Sequence, residues 1–92
     1  MEEYLDFLIT LVRISRNNPN TVFRNSYRQI LRNISTGLRP GPFKAQLNQI
    51  RYNKNINLAT ARRRLSNALW QENRNLASAF VLMSLRSRGK AS

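Results

Sequence analysis

Apolar positions along the chain fall into four runs, each stepping by three or four residues as one face of a helix does. In the first, Leu5, Leu8, Ile9, Leu11, Val12 and Ile14 leave little of the cylinder polar. A helix over 2–16 must then be covered on more than one side. In the second, Phe23, Tyr27, Ile30, Leu31 and Ile34 mark a single apolar face and predict a helix over 21–36. The third is short, with Phe43, Leu47 and Ile50 sharing a face over 43–52. The fourth is the longest: Leu58, Ala61, Leu65, Ala68 with Leu69, Leu76, Ala79 with Phe80, and Met83 keep the step over 58–86.

Breakers separate the runs. Pro19 fixes its own φ and steers Asn18 away from helix, so Asn17 to Asn20 read as a turn. Asn20 can cap the second helix, and Gly37 is expected to end it in the left-handed conformation. Pro40, Gly41 and Pro42 force a break too short to be a domain linker. The asparagines of 53–57 break the pattern again. No run alternates with the period of a strand. The expected fold is all-α: a small bundle of about four helices with short loops, one domain over 1–86, then a frayed basic tail at 87–92.

A chain of 92 residues buries somewhat over ~60% of its unfolded surface, so its own core is marginal. With no cysteine to staple it, pairing of two copies is the usual remedy. A homodimer is expected, with Leu8, Leu11, Leu65, Leu69 and Trp70 at its seam. Trp70 lies off the main stripe and carries a polar N–H, which suits partial burial at such a contact.

Charge changes the picture most. Sixteen basic residues face four acidic ones, a net charge of +12, and thirteen of the sixteen are arginine. Arginine suits planar, bidentate contact with phosphate. A nucleotide-composition bias in the coding sequence would also account for the arginines and the twelve asparagines. Arg24, Arg28 and Arg32 recur at i, i+4 and i+8, a row of ~12 Å along the second helix. Like charges at that spacing destabilise a helix unless something neutralises them. No carboxylate lies between Asp6 and Glu72. Glu2, Glu3 and Asp6 match the dipole at the start of the first helix, and Glu72 is solitary.

These positions predict a phosphate-binding surface made of Arg24, Arg28 and Arg32, of Arg51 and Lys54 beside the asparagine loop, and of Arg62, Arg63 and Arg64 opening the fourth helix. Arg13 and Arg16 are further candidates at the end of the first helix. Asn25, Ser26, Asn33 and Asn53 are candidate hydrogen-bond donors beside them.

Other chemistry lacks its parts. Without histidine or cysteine there is no Ser-His or Cys-His nucleophile and no imidazole or thiolate metal ligand, and the only clustered glycines, Gly37 and Gly41, lie at a proline break rather than in a phosphate loop. No catalytic residue, metal, cofactor or small-molecule substrate is expected. The first helix is too short and too charged at its ends to span a bilayer, and its acidic start is unlike a signal peptide. An intracellular protein is expected, cytoplasmic or nuclear, with membrane anchoring the weaker reading.

Phe23, Tyr27, Phe43 and Phe80 all fall on apolar faces, so no platform for stacking single-stranded bases is expected. The proline break does not supply the turn of a helix-turn-helix. A straight arginine row fits backbone contacts along a duplex, with double-stranded RNA favoured over DNA. In architecture and composition, though in no motif, this scheme is similar to small virus-encoded helical proteins that dimerise over double-stranded RNA. That similarity implies suppression of RNA silencing. The alternatives are a helical module that docks on an acidic partner protein, prompted by the greasy first helix, or a structural protein of a virion or nucleocapsid.

Overall fold

A computed structural model describes the backbone of residues 2–91 and the side-chain surroundings of residues 2–79 and 81. Its elements are α1 (Glu2–Asn17), α2 (Thr21–Gly37), α3 (Pro42–Tyr52) and α4 (Leu58–Ala91). The first three match the apolar runs to within a residue at each end. α4 continues through Ala91, past the Arg86 boundary at which a frayed tail was expected.

Asparagine does much of the punctuation. Asn20 Oδ1 accepts from the N–H groups of Val22 and Phe23, at 2.9 and 3.2 Å, and so caps α2. Asn57 Oδ1 does the same for α4 through Ala59 and Thr60. Asn18 and Asn53 close local turns onto the N–H groups of Asn20 and Asn55. Gly37 does not play the part expected of it: no described residue has a left-handed φ, and Gly37 is the last helical residue of α2. The helix ends because Leu38 turns extended, at φ −76° and ψ 145°, and packs against the core. Pro42 then opens α3, where its missing N–H costs nothing. Gly41 leaves room for Glu72, since a Cβ there would meet the Glu72 carboxylate.

The core draws on every helix. Leu5, Leu8 and Val12 of α1, Leu31 of α2, Leu47 and Ile50 of α3, and Ala61 and Leu65 of α4 form one buried cluster. α1 packs on both α2 and α4, and α3 packs on α4 and α2. α1 therefore has a neighbour for each side of its wide apolar face. Three positions of the expected seam lie in this core. Leu8, Leu11 and Leu65 are 0%, 6% and 0% exposed within a single chain, so they cannot meet a second copy unless the bundle opens. Leu69 is half-buried against the same core.

Trp70, expected to be partly covered, is 69% exposed. It lies off the stripe of Ala61, Leu65 and Ala68 that α4 buries. The apolar face of α2 is also only partly used. Leu31 is buried, Tyr27 and Ile34 are half-buried, and Phe23 and Ile30 remain exposed. Among the described residues, no helix is long and apolar enough to cross a membrane.

Candidate nucleic-acid interface

Three of the four acids, Glu2, Glu3 and Asp6, are gathered at the start of α1. There, Asp6 Oδ1 accepts from Arg62 Nε at 2.7 Å and Glu2 accepts from Arg62 Nη2. The hydrogen bond to Glu2, and then that to Asp6, raises the Arg62 pKa above its ordinary value. Arg62, one of the expected phosphate ligands, is thus paired with two carboxylates within the fold. The reason is topological: the bundle lays the first turns of α4 beside the acidic first turns of α1.

Glu72 is not solitary either. Its side chain is largely buried beside Gly41, with Arg39 Nε 3.9 Å from its carboxylate. Glu3 remains exposed on the first turn of α1.

Arg16, a candidate phosphate ligand by sequence, is a structural clamp. Its guanidinium donates to the carbonyls of Ile50 at 3.0 Å, Asn53 at 2.7 Å and Ile56 at 2.9 Å. These acceptors lie at the C-terminal end of α3 and in the loop after it, where the helix has unpaired carbonyls and negative dipole charge. Burial lowers the Arg16 pKa. A cation in this position ties α1 to the segment that carries Arg51, Tyr52 and Lys54.

Beside this clamp opens a cleft of about 210 Å³. Val12, Leu31 and Ile50 supply its apolar lining, and Arg28, Arg51, Tyr52 and Lys54 its polar one. A second groove adjoins it, bordered by Arg32, Ser35, Thr36, Lys44, Asn48 and Arg51. Asn48 fixes the wall between them: its Oδ1 accepts from Arg51 Nη1 at 3.0 Å and from the Ser35 hydroxyl of α2. Lys44 Nζ donates to the Leu38 carbonyl at 3.2 Å. No carboxylate lines either cleft.

Of the sequence-predicted residues, the fold brings together Arg28, Arg51 and Lys54, and sets Arg32 beside Arg51 in the adjoining groove. Arg64 borders a third opening with Gln49, Tyr52, Asn53 and Ile56. Arg24 is half-buried, with its Nε shut from solvent and without a hydrogen-bond partner. Arg63 is exposed on α4 and lines none of these openings.

The polar side chains expected to assist are engaged locally. Ser26 Oγ donates to the Val22 carbonyl and Asn33 Oδ1 accepts from Gln29 Nε2. Asn53 closes its own turn. Asn25 is exposed on α2.

The residue that sequence reading missed is Tyr52. It ends α3, is 78% exposed, and has the Arg51 guanidinium carbon 5.3 Å from its ring centroid. It borders all three openings. A signal for it was present: at ~100° per residue, Tyr52 lies ~200° around the helix from Ile50, opposite the buried face. Among the described residues, no group of histidine, cysteine, aspartate and glutamate is placed to hold a metal ion. No protein-family model, curated protein or solved structure matches the chain.

Proposed function

We propose that the chain is a non-enzymatic nucleic-acid-binding protein whose α2–α3 side contacts the phosphate backbone of a duplex, double-stranded RNA being the favoured form. The observation that carries this reading is the segregation of charge. Arg28, Arg32, Lys44, Arg51 and Lys54 border two adjoining clefts without a carboxylate among them. Cations gathered in this way repel one another, and a polyanion relieves that repulsion while releasing its own counterions.

Arg28 and Arg32 stand ~6 Å apart along one rigid helix, a spacing that positions backbone contacts without reading bases. Such a row suits the shape of an A-form duplex better than the base edges of a DNA major groove. A small protein of this kind would cover a duplex rather than act on it, as the similarity to silencing suppressors implies. The test is direct: the 260/280 absorbance ratio before and after a high-salt wash, then binding to an RNA duplex of about 16 base pairs. Protein free of nucleic acid at low salt, with no affinity for that duplex, refutes the proposal.

A module that docks on an acidic partner protein is the second reading. It is favoured by the apolar residues left uncovered: Val22, Phe23 and Ile30 on α2, and Trp70 on α4. A protein surface would use these and a phosphate backbone would not. The same wash separates the two readings.

A further inference from the structure

We propose that Tyr52 is a stacking platform for an unpaired base, whose flanking phosphates are taken by Arg28 and Lys54 on one side and by Arg32 and Lys44 on the other. The inference rests on the phosphate-binding reading and adds the kind of nucleotide that the site takes.

Three observations carry it. Tyr52 is 78% exposed, the most exposed of the large hydrophobic residues described, and it lies away from the core contacts of α3. Together with Arg51, it also borders both cationic clefts. Anything lying on the ring therefore has guanidinium and ammonium groups to either side, at the places where a strand entering and leaving would put its phosphates.

The third observation is preorganisation. Arg51 stands over the ring at 5.3 Å, and its guanidinium is held by Asn48, which α2 holds in turn through Ser35. An arginine so placed adds a cation–π layer to the stack. Arg16 anchors the segment from below, through the Ile50, Asn53 and Ile56 carbonyls on either side of Tyr52. Proteins that hold single strands combine a basic groove with an exposed aromatic ring in this way. A base inside a duplex already stacks on its neighbours and offers no free face. The ligand for Tyr52 is an unpaired nucleotide, such as the single-stranded end of a duplex.

The experiment compares a blunt RNA duplex with the same duplex carrying a single-stranded 3′ overhang, by fluorescence anisotropy on the full chain. The overhang should tighten binding by about fivefold or more, the low end for one base stacked on an aromatic ring. Tyr52→Ala should erase that gain, so that both probes bind alike, while Tyr52→Phe keeps it because the ring rather than the hydroxyl stacks. In a Trp70→Phe background, Tyr52→Trp should show emission quenched by the overhang probe alone. Equal affinity for both probes in the wild type overturns the stacking site and leaves the phosphate reading standing. So does a Tyr52→Ala loss that is the same for both. If neither probe binds, the phosphate reading fails and the stacking site fails with it.

Discussion

Replacing Arg16 with alanine removes a single side chain that donates to carbonyls of Ile50, Asn53 and Ile56, 34 to 40 residues away in sequence. The bonds to Ile50 and Ile56 are partly buried and the one to Asn53 is exposed, so water replaces the last at little cost. A hydrogen bond from a charged donor contributes about 1.5 kcal/mol at the low end, and two such bonds suggest a loss of about 3 kcal/mol. The desolvation that lowers the Arg16 pKa is recovered on removal, which brings the expected loss to about 2–3 kcal/mol. For a domain of this size that is a drop in Tm of roughly 10–20 °C. Arg16→Lys should fall in between, because an ammonium cannot fan out to acceptors as a planar guanidinium does. Thermal unfolding followed by circular dichroism measures both. RNA affinity should fall in the alanine variant as well, since the loop bearing Tyr52 and Lys54 loses its anchor. A Tm within about 2 °C of the wild type would refute the clamp, because that corresponds to well under 1 kcal/mol.

Leu8→Ala, at a position with 0% exposure, should cost about 2–5 kcal/mol in urea unfolding and should not yield a folded, dissociated monomer. Trp70→Ser should leave monomer stability within about 0.5 kcal/mol yet shift any dimer towards monomer, because Trp70 is exposed where Leu8 is not. Sedimentation at micromolar concentration checks this, and a wild type that sediments at 10.7 kDa removes the dimer. Arg62→Gln should lower the urea midpoint by the same amount at about pH 6 and about pH 9. A cation whose folded pKa is raised contributes fully below its ordinary value and loses that contribution only as pH rises through the raised one. A midpoint difference that vanishes by about pH 9 would contradict the ion-pair assignment.

The helices were legible because their apolar step is strong and their breakers are local: Asn20, Pro42 and Asn57 act within a few residues of their own positions. What was not legible depends on residues far apart in the chain. Arg62 looked like a free cation because its partners Glu2 and Asp6 lie 60 and 56 residues away. Leu8, Leu11 and Leu65 looked like surplus apolar surface because periodicity cannot tell a helix flanked by two neighbours of its own chain from one awaiting a second copy. Gly37 suggested a left-handed cap, but burial of Leu38 ends the helix by another route.

The arginine row on α2 was visible as a row. Which members meet Arg51 and Lys54 was not, because that depends on how α2 crosses α3. Arg28 and Arg32 reach the clefts, whereas Arg24 does not line them. Tyr52 was within reach of a face-by-face reading, since its angle from Ile50 puts it outside the core.

Phosphate binding by the α2–α3 side should show itself in the salt dependence of RNA affinity. If Arg28, Arg32, Lys44, Arg51 and Lys54 each neutralise a phosphate, log K should fall with log salt at a slope of about −4 to −5 per protomer. Arg28→Ala should make that slope shallower by about 0.9, while Arg62→Gln should leave it unchanged. An affinity independent of salt, or a slope that responds to Arg62 and not to Arg28, would contradict the account.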